Sequence, residues 1–221
     1  MSLFPIFLKL DGRSCLVVGA GSIGESKIDG LIEAGVAVHV VAPRATPAVE
    51  RWARAGVIRW SSRPFEAADL NDVFLVVVAV SSPGLSDWIF REAQQRRILC
   101  NVVDDPLHCD FYYPSVVRRG DLQFAVSTAG QSPALAQRLR RELEEQFGPE
   151  YAEWVRRLGC ARRGLYRRGM DPEHRRGLLH RLASRERFEI YLQRNRAREG
   201  KGISAGIGHE RYGLLGRRRA R

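Results

Sequence analysis

At 221 residues, 44% of them hydrophobic, the chain suits one large domain or two small ones and can bury a core. No apolar run nears the roughly 20 residues that span a bilayer, and the opening MSLFPIFLKL lacks the basic and long apolar stretches of a secretory leader. The net charge of +11 is localised: residues 1–150 hold 16 basic and 18 acidic side chains, net −2, whereas residues 151–221 hold 20 and 7, net +13.

Residues 14–103 alternate strand and helix signals. SCLVVG (14–19), VAVHVV (36–41), VFLVVVAV (73–80) and ILCNVV (98–103) are short, nearly continuous apolar runs, as in parallel strands buried on both faces. VIRW (57–60) reads as a shorter strand. Between them fall three helix patterns. The first carries Ile28, Leu31 and Ile32 on one face and stops at Gly35. The second is TPAVERWARAG (46–56), and the third is GLSDWIFREAQQRR (84–97). The alternation predicts an α/β fold, a Rossmann-type parallel sheet with helices on both faces. SVVRRGDLQFAVS (115–127) reads as two strands joined at Gly-Asp. Ser132 and Pro133 open a helix with Leu135, Leu139 and Leu143 on one face. Beyond residue 150 the pattern is helical. Tyr151, Trp154, Val155 and Leu158 form a stripe, and a further helix runs from Asp171-Pro172 toward Leu192. The Gly- and Arg-rich end is expected to be poorly ordered.

Gly19-x-Gly21-x-x-Gly24 follows the first strand and opens the first helix. In that setting Gly19 permits the tight turn, Gly21 lets backbone approach a pyrophosphate, and Gly24 lets helix and strand pack closely. The amides near Ser22 and Ile23 then face the phosphates. A dinucleotide site of the NAD type usually has a carboxylate about 20 residues on. Here the second strand ends in Ala42, Pro43 and Arg44, so spacing alone leaves NAD and NADP open. The alternative is a tight glycine turn that binds nothing.

Four stretches together resemble the precorrin-2 dehydrogenase/sirohydrochlorin ferrochelatase family, which includes the N-terminal module of sirohaem synthase. They are FPIFLKLDGRSCLVVGAGSIGESK (4–27), ILCNVVDDP (98–106), FYYPSVVRRGDLQFAVSTAGQSPALAQRLR (111–140) and the spacing between them. The resemblance covers about residues 3–147. It implies an NAD-binding Rossmann domain at 1–112, a small α+β dimerisation region at 113–149 and a helical C-terminal region at 150–195; composition sets off an Arg/Gly-rich tail at 196–221. It implies NAD-dependent oxidation of precorrin-2 to sirohydrochlorin, and in some members insertion of Fe²⁺. By the same resemblance Ser22, Ile23, Pro43 and Arg44 meet the NAD, and Asp104 has the catalytic role. Ser127 and Thr128 lie beside the tetrapyrrole. The chain departs from the family's pattern at Ser81-Ser82, where a Thr and acidic residues are usual.

Chemistry read from the residues is consistent with this. Asp104 stands just past a strand, at the carboxyl edge where open α/β sheets bind ligands, and can act as general base; a turn-capping role is the alternative. Asp105 is its rival. His108, Cys109 and Asp110 are adjacent and have no second ligand cluster, so no resident metal site is expected. The four cysteines (15, 100, 109, 160) show no paired spacing and no C-x-x-C, which suits a reduced, cytoplasmic protein. The expected assembly is a homodimer that acts on a tetrapyrrole, with Fe²⁺ at most in transit and no membrane partner. Two other classes stay open. One is an NAD(P)-sensing Rossmann module without catalysis. The other is nucleic-acid binding through the basic tail, which lacks interleaved aromatics. Only Lys9, Lys27 and Lys201 among 36 basic residues are lysine, an arginine bias that reads as compositional drift.

Overall fold

In the computed structural model, residues 3–205 are described, with side chains described as far as residue 197. Two compact units divide at Tyr113 and Pro114. The first contains β1 (Ser14–Ala20), α1 (Ser22–Glu33), β2 (Ala37–Ala45), α2 (Pro47–Arg54), β3 (Arg59–Ser61), β4 (Leu75–Val78), α3 (Pro83–Gln95) and β5 (Leu99–Val102). The strands form one sheet in the order β3-β2-β1-β4-β5, and every pairing is parallel. This is the Rossmann order, reversing between β1 and β4.

Alternate residues of the apolar runs enter opposite layers. Val17, Val40 and Val77 pack with Ile28 and Leu31 of α1 and Val49 of α2. Leu16, Val41, Val76, Val78 and Cys100 pack with Ile89 and Ala93 of α3. Both faces of the sheet are therefore covered, as continuous apolar strands require. Elements start where the sequence signals them. Thr46 Oγ1 accepts from the Val49 amide at 3.4 Å, and Pro47 follows in the first turn of α2. β2 is longer than its apolar run and carries Pro43 and Arg44 at its exposed end.

The second unit begins with an antiparallel hairpin, β6 (Ser115–Arg119) and β7 (Leu122–Val126). Its turn contains Gly120 at φ +59°, a left-handed conformation that glycine adopts without a Cβ clash. Four helices follow: α4 (Pro133–Gln146), α5 (Glu150–Arg167), α6 (Pro172–Leu182) and α7 (Arg185–Ala205). Ser132 Oγ accepts from the Leu135 amide and caps α4. Two expectations need correction. The helix expected from Asp171 toward Leu192 is broken at Ala183-Ser184. There Ser184 Oγ accepts from the Arg187 amide at 3.4 Å and starts a new helix. The end expected to be poorly ordered is helical in backbone as far as Ala205; its remainder, residues 206–221, lies outside the described residues. No described helix is long and apolar enough to cross a membrane.

Candidate functional site

The carboxyl ends of β1, β2, β4 and β5 carry the candidate residues of the first unit. At β1, Gly19 has φ +101°, and a Cβ there would stand 2.2 Å from the Ala79 carbonyl oxygen. The β1–β2 register shifts at this point. A Cβ on Gly24 would stand 2.3 Å from the Gly19 carbonyl oxygen. Both glycines are thus demanded by the protein's own packing. Gly21 differs: a Cβ there would meet nothing within 4 Å. Gly21 caps α1 with no side-chain hydrogen bond, and the first helical bond is the Glu25 amide to the Gly21 carbonyl at 2.8 Å. The amides of Ser22 and Ile23, both exposed residues, stand in the uncapped first turn. Open space over a glycine beside free helix amides fits the pyrophosphate of a dinucleotide.

At the end of β2, Pro43 and Arg44 are exposed. The Pro43 carbonyl accepts from Ser62 Oγ, and the preceding Ala42 carbonyl accepts from Trp60 Nε1 at 3.0 Å. These bonds fix the strand end from the β3 side. After β4, Ser82 precedes α3 and Ser86 donates to its carbonyl. The departure at Ser81-Ser82 therefore sits on an exposed loop at the switch point between β1 and β4.

Asp104 follows β5, exposed and at φ +61°. Its neighbours lie in a turn braced from within. Asp105 Oδ1 accepts from the Leu107 amide, and Asp105 Oδ2 pairs with His108 Nδ1 at 2.6 Å. That bond is the main reason the Asp105 carboxyl lies below the usual carboxylate range. The adjacent His108, Cys109 and Asp110 do not converge. His108 turns to Asp105, Cys109 Sγ lies 3.1 Å from the Val102 carbonyl, and Asp110 accepts from the Cys100 amide. Among the described residues, no group of three or more His, Cys, Asp or Glu could hold a metal ion. Burial pushes the Cys15 thiol up to about 11 and the Cys100 thiol up to about 12, so neither is a nucleophile at neutral pH.

Sequence reasoning passed over Lys27 and Tyr113. The Lys27 ammonium sits 4.1 Å from the centre of the Tyr113 ring. Partial burial lowers the lysine's pKa, while the charges of Asp104 and Cys109 oppose that shift. The available signal was compositional: Lys27 is one of three lysines in an arginine-biased chain.

Ser127 and Thr128 belong to the second unit, just after β7. Ser127 Oγ accepts from the Ala129 amide, and Thr128 Oγ1 accepts from the Ser132 amide at 3.0 Å. Both oxygens shape the turn into α4 while their hydroxyl protons stay available to donate.

Comparison with known proteins bears on both units. The NAD(P)-binding family model NAD_binding_7 matches residues 6–115, and the model "Sirohaem biosynthesis protein central" matches residues 119–146. Siroheme synthase 1 of Serratia proteamaculans is 42% identical over 144 residues, 65% of this chain and 30% of that protein. Siroheme synthase 2 of Yersinia pseudotuberculosis is 34% identical over 195 residues, 88% of this chain and 41% of that protein. The chain thus spans well under half the length of these relatives. The solved structure of SirC, precorrin-2 dehydrogenase, superposes with a TM-score of 0.73 at 27% identity, covering 89% of this chain and 98% of SirC. Along both units the chain is thus similar to proteins of sirohaem biosynthesis, a precorrin-2 dehydrogenase among them.

Proposed function

We propose that the chain oxidises precorrin-2 to sirohydrochlorin with NAD⁺, on the route to sirohaem. One observation carries the reading: the likeness to the precorrin-2 dehydrogenase structure runs through 98% of that chain, across both units. The oxidation removes one hydride and one proton from the substrate. NAD⁺, when bound, supplies the hydride acceptor. Gly19, Gly21, Ser22, Ile23 and Gly24 form the loop that would hold its pyrophosphate, and Pro43 and Arg44 would meet it at the end of β2. Asp104 takes the proton: its carboxylate is exposed at the carboxyl edge of β5, one strand from the switch point. Lys27 is electrostatically coupled to Asp104, whose charge opposes the burial that lowers the lysine's pKa. Ser127 and Thr128 bind the tetrapyrrole through their hydroxyl protons.

The chain acts as a cytoplasmic homodimer built through residues 113–147. A two-stranded hairpin is marginal alone, and Leu135 on the leucine face of α4 is 38% exposed. A second copy would cover that face. Fe²⁺, where the chelatase step is retained, passes through as substrate. Mixing the chain with enzymatically generated precorrin-2 and NAD⁺ tests the main reading. Stoichiometric NADH and sirohydrochlorin are expected; NAD⁺ binding without turnover would leave a nucleotide-sensing module instead. Much tighter NADP⁺ than NAD⁺ binding would assign Arg44 to a 2′-phosphate.

A further inference from the structure

Asp104 stands on backbone that other residues must hold. Its φ of +61° is left-handed, uncommon for any residue with a Cβ although tolerated by Asp. The turn after β5 closes largely on itself. The Asp105 amide donates to the Val102 carbonyl at 3.2 Å, the His108 amide to the Asp105 carbonyl at 3.1 Å, and Cys109 Sγ lies within 3.2 Å of both carbonyls. Such a turn can still tilt as a unit. His108 ties it to a neighbouring element. Nδ1 donates to Asp105 at 2.6 Å within the turn. On the other side, Nε2 lies 3.8 Å from Asp87 of α3, and the ring packs edge-on against Phe90 of α3 at 4.6 Å. The charged groups facing the imidazole are Asp105 from the turn and Asp87 from α3, the latter also paired with Arg91 at 2.7 Å. α3 starts at Pro83, directly after the exposed Ser81-Ser82 loop. One side chain thus spans two carboxyl-edge segments, the Asp104 turn and the first turns of α3.

We propose that His108 is a positioning residue: by clasping Asp105 and α3 together, it fixes the orientation of the Asp104 carboxylate. The proposal rests on the reading of Asp104 as proton acceptor. It assigns Asp105 the part of anchor, since its carboxylate is committed to His108 and to the Leu107 amide.

Three variants of the full chain test it, with precorrin-2 turnover and NAD⁺ affinity measured for each. His108→Leu keeps packing against Phe90 and loses both polar contacts. Its kcat is expected to fall about tenfold to a hundredfold, the usual cost of losing an orienting partner. KM and the NAD⁺ Kd should stay within about twofold, because the interaction serves the transition state only. His108→Asn places an amide nitrogen where Nδ1 stands and can donate to Asp105 but does not reach α3, so it should recover part of the rate. His108→Gln, whose amide lies beyond Asp105, replaces the leucine variant if that one does not fold, and should stay slow. Full turnover without the Asp105 donor overturns the proposal, as does an asparagine variant no faster than the leucine one. NAD⁺ affinity falling in step with kcat also overturns it, because it marks a general loss of structure. Asp104→Ala run in parallel separates the two ideas. If it keeps turnover, the reading of Asp104 fails and takes the proposal with it. If it is inactive while His108→Leu runs at full rate, only the proposal fails.

Discussion

Val17, Val40 and Val77 of the first unit are fully buried between helices and sheet, whereas α5 and α6 of the second unit bury no residue fully. In the first unit two apolar layers close over a parallel sheet. The second buries Val117 and Tyr191 and otherwise relies on half-buried aromatics. Phe147, Tyr151, Phe188 and Trp154 are linked ring to ring at 4.3 to 5.6 Å, and arginine–glutamate pairs line the outside of α5. A sheet buried on both faces is complete within one chain and can hold a precisely shaped loop at its edge. A set of amphipathic helices with partly open faces and a net charge of +13 offers apolar faces that a second copy would cover and a field that would attract an anionic ligand.

The sharpest break of that comparison lies in the glycine loop. Gly19→Ala would drive a methyl against the Ala79 carbonyl at a φ that side chains rarely adopt. A loss of roughly 3 kcal/mol or more is expected, read as a lowered urea midpoint with no residual NAD⁺ binding. Gly21→Ala should change stability by less than about 0.5 kcal/mol, because its Cβ meets nothing within 4 Å. It should still weaken NAD⁺ binding if the open space over Gly21 takes the pyrophosphate, because the methyl would fill that space. Equal effects of the two substitutions on stability would show that the loop is packing alone.

Next in size is Asp104→Ala, expected to lower turnover about 10²- to 10⁴-fold while NAD⁺ affinity survives. NADH formation with precorrin-2 measures it. Asp105→Ala should be milder and act on the rate through His108; if it proves the more damaging of the two, the base is Asp105.

Leu135→Asp moves the test to the second unit. A charge on the exposed leucine face of α4 should cost about 1 kcal/mol or more per copy in association and shift the light-scattering mass from dimer toward monomer. The urea midpoint of the first unit and its NAD⁺ affinity should be unchanged. An unaltered dimer would place the interface elsewhere.

The sequence's periodicity carried the first unit well, because a strand buried on both faces must be apolar at nearly every position. VFLVVVAV could hardly serve elsewhere than in the centre of a parallel sheet. Gly19 and Gly24 were legible because each is demanded by a close approach of backbone, whereas Gly21 stands beside open space. The bounds of β2 were not. Ala45 extends it by pairing with Ala20 past Pro43 and Arg44, beyond the apolar run, which hydrophobicity cannot signal. The break at Ser184 was hidden because no glycine or proline stands there, and only the serine cap marks the new start. At the site, the position of Asp104 followed from the strand before it. The bracing of Asp105 by His108 depends on a turn geometry that adjacent letters do not encode, and the Lys27–Tyr113 contact joins residues far apart in the chain.

The smallest expected effect tests how far surface charge supports the second unit. Glu153 on α5 accepts from Arg156 Nε at 2.6 Å and from Arg157 Nε at 2.8 Å. Those bonds hold its carboxyl down to about 2, from an ordinary 4.5. A carboxylate with a lowered folded pKa binds its proton more readily in the unfolded chain, so folding favours the ionised form. The resulting stabilisation is fully present above the unfolded value near 4.5. It declines as pH falls and is lost by about 2. The pair is exposed, so solvent and salt screen it and the gain at neutral pH is small. Glu153→Gln should therefore lower the melting temperature slightly at pH 7 and at pH 5.5. The difference from the parent chain should shrink between pH 4.5 and pH 2, and added salt should narrow it at neutral pH. A difference that persists unchanged at pH 2 would trace the effect to lost packing along α5 instead of to charge.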